Sequence, residues 1–117
     1  LPALWRAEKV QKKAKKAGFD WPDISGAMDK LSEELEELKR AVAEGTNVAE
    51  ELGDLLFSAV NVSRFLKVDA EEALGGATDK FIDRFRKVEA EAARQGHELK
   101  GMSLEELDKL WERAKET

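Results

Sequence analysis

Residues 48–66 read VAEELGDLLFSAVNVSRFL, and the reading of this stretch decides the fold. Leu52, Leu55, Leu56, Phe57, Ala59, Val60, Val62, Phe65 and Leu66 leave little of a helical circumference polar, which predicts a helix over Val48–Leu66 buried on most of its sides. Its polar exceptions are not scattered. Glu51, Asp54, Ser58 and Asn61 fall on one narrow strip when turned by about 100° per residue, with Asn47 and Glu50 at its entrance. Carboxylates crowded in such a place repel one another and lose hydration. A divalent cation removes that penalty.

The helix before it supplies the other half of the pattern. Asp23 or Ser25 caps it, and it runs to about Ala43 with Leu31, Leu35, Leu38 and Val42 along one face. Gly45-Thr46-Asn47 breaks it. Lys30, Glu34, Glu37 and Ala41 form a stripe beside the leucines, while Glu33 and Glu36 point towards solvent. Glu34 and Glu37, three apart, aim two carboxylates at one point. Taken alone, such a pair reads as a solvated acidic face. Combined with Glu51 and Asp54 on an apolar partner helix, it reads as a metal site. No Cys and a single His leave oxygen ligands, which suit Mg²⁺ or Mn²⁺ rather than Zn²⁺.

Three further helices complete an all-α bundle of about five. The first covers about Ala3 to Ala17 and stops at Gly18, and a connection from Phe19 to Asp23 follows. The fourth starts at the capping sequence Asp69-Ala70-Glu71-Glu72 and reaches about Gln95, with Gly75-Gly76 weakening and bending its first turns. The last begins at the capping box Ser103-Leu104-Glu105-Glu106 and carries Leu107, Leu110 and Trp111. Alanine, leucine, glutamate and lysine dominate the 117 residues, and 42% apolar content supplies a core for one domain.

Without cysteine there are no disulfides. No apolar run approaches the roughly 20 residues that span a bilayer, so a cytoplasmic protein without a membrane partner is expected. The chain begins at Leu1 rather than Met, which suggests a piece of a longer protein. The net charge of −5 hides a basic start, with Arg6, Lys9, Lys12, Lys13, Lys15 and Lys16 against Glu8 alone. That run reads as a solvated helix face, and no nucleic-acid partner is expected.

The stretch Glu33-Glu34-Leu35-Glu36-Glu37, followed after thirteen residues by Glu51-Leu52-Gly53-Asp54, has the form EExxE…ExxD. It resembles the signature of the all-α nucleotide pyrophosphohydrolases. With Glu50 to Phe57 and Lys80-Phe81-Ile82-Asp83-Arg84-Phe85 it is similar to the MazG branch, over a span from Arg6 to Trp111. An HPHVF-type stretch after the third helix, common in the N-terminal copies of two-domain MazG proteins, is missing here, so the likeness is to their C-terminal domain.

The resemblance implies a four-helix core completed by homodimerisation, with Mg²⁺ on Glu34, Glu37, Glu51 and Asp54. It implies broad hydrolysis of ribo- and deoxyribonucleoside triphosphates to monophosphate and pyrophosphate. It further implies that Lys30, Asn47, Asp54, Lys80, Arg84 and Trp111 contact the nucleotide. A narrower enzyme acting on dUTP, dCTP or phosphoribosyl-ATP shares the same carboxylates, and a non-catalytic helical dimerisation module is the alternative from another class.

The residues themselves add detail. Mg²⁺ between carboxylates and phosphates acts as Lewis acid and lowers the pKa of bound water, while Glu33 or Glu50, not needed as ligands, would orient that water. Lys80, Arg84 and Lys87 share a stripe that suits phosphate oxygens or simply faces solvent beside Asp79 and Asp83. Trp111 suits base stacking or the core. Asn61, on the metal strip, would bond a sugar or a metal-bound water. Trp5, Phe19 and Trp21 are assigned to packing, Phe81, Phe85 and Val88 to the core, and His97 to solvent.

Overall fold

The structure, a computed structural model, describes residues 1–116, and every regular element in them is helical. α1 is Ala3–Lys16, α2 Ile24–Glu44, α3 Val48–Leu66, α4 Ala70–Arg94 and α5 Leu104–Glu116; a 3-10 turn at Leu99–Gly101 precedes α5. The expected boundaries hold to within one residue, because the punctuation works as read. Gly18 (φ +95°) ends α1 while the Phe19 N–H donates back to the Ala14 carbonyl at 2.9 Å. The Asp23 carboxylate accepts the Ser25 N–H at 2.8 Å and starts α2. Ser103 and Glu106 exchange reciprocal bonds of 3.1 Å at the start of α5. Asn47 takes a left-handed φ of +56°, which asparagine tolerates better than most residues, and this lets α3 begin three residues after Gly45. α4 continues as one helix through Gly75-Gly76.

The chain forms two compact units, one from Leu1 to Ala73 and one beginning at Leu74. In the first, α2 and α3 are the principal pair and α1 packs on α3. The buried residues are small: Ala27 and Ala41 from α2, Ser58, Val60 and Val62 from α3. Polar side chains are buried with them, Glu34 of α2 among them. Gln11 of α1 donates from Nε2 to the Phe57 carbonyl at 3.0 Å. Arg64 of α3 grips Asp20 with two bonds of 2.8 and 2.9 Å, and the guanidinium holds the Asp20 carboxyl below the usual carboxylate range.

The second unit centres on Val88 and Ala92 of α4 and Leu110 and Ala114 of α5, with Leu99, Met102 and Trp111 against them. Beside this cluster Glu91 accepts from Arg94 at 2.9 Å and Arg113 at 3.3 Å. Its carboxyl is held down to about 2, chiefly by the Arg94 hydrogen bonds.

Three expectations about burial are corrected. Leu52, Leu56, Phe57 and Leu66 of α3 stay between 44% and 57% exposed, so α3 is not covered on most sides. Phe81 and Phe85 are likewise exposed and stack on each other at 5.9 Å instead of entering the core. Phe19 stands 83% exposed, and Trp5 and Trp21 remain partly open. The reason is geometric: in the first unit α1 and α2 cover only the flanks of α3 they touch, and no large side chain among the described residues is fully buried.

Trp21 does pack, on Gly26, where a Cβ would overlap the indole ring. Gly26→Ala should therefore lower stability by about 1–3 kcal/mol despite the better helix propensity of alanine. Gly76→Ala, in α4 with open space at the Cβ position, should raise it by about 0.5–1 kcal/mol. Urea denaturation of both variants checks the contrast; equal effects would show that the Trp21–Gly26 contact carries no weight.

Candidate metal centre

The Gly45-Thr46-Asn47 turn reverses the chain so that α3 returns along α2. Gly45 (φ +71°) closes α2 by donating to the Ala41 carbonyl at 2.8 Å. The small residues between the helices let their polar strips meet. As a result, carboxylate oxygens of Glu34, Glu51 and Asp54 lie within 4.8 Å of one another. Glu34 is buried, Glu51 is half-buried and Asp54 is exposed. Desolvation pushes the Glu51 carboxyl up, and the charges of Asp54, Glu34, Glu37 and Glu50 push it further.

The surrounding charges are partly matched. Lys30 lies 3.1 Å from Glu34 and 3.5 Å from Glu33, and the hydrogen bond to Glu34 raises the Lys30 pKa. Glu37 turns to Arg40 at 3.1 Å and stands outside the set of three, although it shares a shallow recess with Asn47 and Glu51. Glu36 pairs with Lys39 on the solvent side, as its phase predicted. Glu33 is exposed, and Glu50 sits exposed in the first turn of α3. Further along the strip Ser58 is buried and Asn61 half-buried. Three carboxylates with no nitrogen or sulfur donor form a set fitted to a hard divalent cation, and the raised Glu51 shows the electrostatic cost such an ion would relieve.

Lys80, Arg84 and Trp111 belong to the second unit. There the Arg84 guanidinium lies 5.9 Å from the Trp111 ring centroid and Phe81 packs at 5.4 Å from the same ring. Trp111 is half-buried against the unit's core, between the two roles its sequence position allowed. Lys87 pairs with Asp83 at 3.3 Å, and Lys80 is exposed.

Sequence reading passed over Gln11, Asp20 and Arg64. Gln11 had a signal, since it occupies the inward stripe of α1 shared with Leu4, Ala7 and Ala14. Asp20 and Arg64 had none, because nothing local marks a pair separated by 44 residues.

The family described as MazG nucleotide pyrophosphohydrolase domain matches residues 24–89, which include all four motif carboxylates. The chain is 49% identical over 115 residues to the nucleoside triphosphate pyrophosphohydrolase/pyrophosphatase MazG of Thermotoga maritima. It is 43% identical over 119 residues to the nucleoside triphosphate pyrophosphohydrolase of Escherichia coli K12. In each case 98% of the chain is covered, and it spans 45% of the relative's length. Over 71 residues, 61% of the chain and 14% of the relative, it is 54% identical to the uncharacterized protein YabN of Bacillus subtilis. A helical hairpin with Glu34, Glu51 and Asp54 at its seam, inside a stretch that this family matches, leads to one conclusion: the chain belongs to the MazG nucleotide pyrophosphohydrolase domain family.

Proposed function

We propose that this chain hydrolyses nucleoside triphosphates to monophosphate and pyrophosphate, with Mg²⁺ held by Glu34, Glu37, Glu51 and Asp54 and with broad tolerance of the base. The observation that carries the reading is the meeting of Glu34, Glu51 and Asp54 within 4.8 Å in a chain whose relatives are named as nucleoside triphosphate pyrophosphohydrolases. Glu37 joins the set by leaving Arg40, an exposed pair of the kind worth little. Bound Mg²⁺ supplies Lewis acidity toward the phosphate oxygens and an acidified water.

The protein's own groups do the rest. Glu33 or Glu50, outside the ligand set, orients the attacking water and takes its proton. Lys30, 3.1 Å from Glu34, would offer its ammonium to phosphate. Asn47 and Asn61 are proposed as further nucleotide contacts in the first unit. Lys80, Arg84 and Trp111 keep the phosphate and base contacts that the family resemblance implies.

We also propose a homodimer. Exposed Leu52, Leu56, Phe57, Phe81, Ile82 and Phe85 are more large apolar surface than a small monomer ordinarily shows. Sedimentation at micromolar concentration should give about twice the mass of one chain, and a folded monomer would refute the dimer.

Incubated with a panel of ribo- and deoxyribonucleoside triphosphates, the protein should release pyrophosphate only when Mg²⁺ or Mn²⁺ is present. Orthophosphate as first product would remove the proposed reaction.

Glu51→Gln should abolish turnover yet raise the melting temperature of the metal-free protein at neutral pH. The sign follows from the raised pKa: ionising Glu51 opposes folding, a cost absent in acid and complete above the folded-state pKa. Added Mg²⁺ should stabilise the wild type and leave the variant unmoved. A variant destabilised without metal would contradict the assigned repulsion.

A further inference from the structure

On α1 the side chains of Trp5, Lys9, Lys12, Lys13 and Lys16 recur at helical spacing and, with Glu8, line a recess of about 400 Å³. In sequence alone these lysines read as a solvated face. The structure adds how little of their charge is matched and how the ring beside them is held.

Four ammoniums against one carboxylate leave the recess three positive charges in excess. Glu8 pairs with Lys12 at 3.3 Å, and the charge of Asp69 also acts on Lys12. Lys9, Lys13 and Lys16 make no ion pair among the described residues. The whole chain carries a net charge of −5, so this row is a local reversal of sign and not part of a general basicity.

At the head of the row Trp5 gives its indole N–H to the Asp69 carboxylate, at 2.9 and 3.1 Å to its two oxygens. Asp69 is held in turn by the Glu72 N–H at 3.1 Å. The ring is thereby fixed and its single donor is spent, so what it offers the recess is aromatic surface. From that surface the cations run about 16 Å to Lys16, at about 1.5 Å per residue.

This combination selects among anionic ligands. An acidic peptide matches the lysines and leaves the ring without use. A lipid surface calls for aliphatic side chains to insert, and the recess is lined by none. A mononucleotide keeps its phosphates at one point, whereas these cations are strung out. A single strand of nucleic acid brings a repeating charge for the lysines and a base for the ring.

We propose that this face of α1 binds single-stranded nucleic acid, with Lys9, Lys13 and Lys16 on the phosphates and Trp5, fixed by Asp69, stacking on a base. The surface is separate from the carboxylate centre, and none of its residues takes part in the triphosphate reading above.

The test is fluorescence anisotropy with a labelled oligouridylate of about twelve nucleotides, within the usual range for such sites. The probe carries no triphosphate, and EDTA keeps divalent cations off the carboxylates. Affinity should fall with salt at a log–log slope of about −2, as expected for three phosphates of a single strand. The variant with Lys9→Gln, Lys13→Gln and Lys16→Gln changes exposed side chains only, and it should bind at least about tenfold more weakly with a flattened slope. An abasic strand of equal length and charge should bind the wild type about tenfold more weakly than the natural strand. Trp5→Leu, its fold checked by circular dichroism, should bind the two strands alike.

Unchanged binding by the triple lysine variant would overturn the proposal, because the strand would then sit elsewhere. Equal binding of abasic and natural strands by the wild type would remove the stacking and with it the assignment to nucleic acid. Polyglutamate or phosphatidylserine vesicles bound as tightly at the same salt would likewise overturn it, in favour of an acidic protein or a membrane surface.

Discussion

Mutual repulsion among Glu34, Glu51 and Asp54 is the constraint around which the first unit is arranged. Like charges this close, one of them buried, are tolerated only with help from their surroundings. Some help is local: Lys30 stands against Glu34 and Arg40 against Glu37. Some comes from the backbone, because Glu50 and Glu51 occupy the first turn of α3, where the helix dipole favours negative charge. The compensation is incomplete, as the raised Glu51 carboxyl shows. A site left short of positive charge is one prepared to receive it.

The same arrangement explains why one chain buries so little. Carboxylates on two helices reach a common ion only if the backbones approach closely. Ala27, Ala41 and Ser58 permit that approach, but small side chains bury little apolar area. The bulky residues are displaced to the outer face of α3, where Leu56 stands about half exposed. Precision at the seam and scarcity of core are two results of one choice of residue size.

Much of this was legible in the sequence because helical punctuation is local chemistry. Gly18, Asp23, Gly45, Asp69 and the Ser103–Glu106 box each act within a few residues, so the helix ends were readable. The phases of Glu34, Glu51 and Asp54 followed from helical periodicity and needed only the assumption that α2 and α3 are neighbours. Burial was harder, since hydrophobic periodicity says which face is apolar but not what covers it; Phe85 and Leu52 were misplaced on that account. Hardest were Asp20 and Arg64, whose partnership depends on tertiary geometry and leaves no periodic trace.

Asp69 illustrates how a single carboxylate joins distant parts of the first unit. It accepts the Glu72 N–H at 3.1 Å as the cap of α4, and also the Trp5 indole N–H at 2.9 Å. These donors hold its pKa below the ordinary value, the indole bond most of all, so its contribution is present above the unfolded pKa and lost as pH falls through the folded one. One proton on Asp69 consequently loosens the beginning of α1 and the beginning of α4 together. In the language of hydrogen exchange, two segments more than sixty residues apart share one opening event.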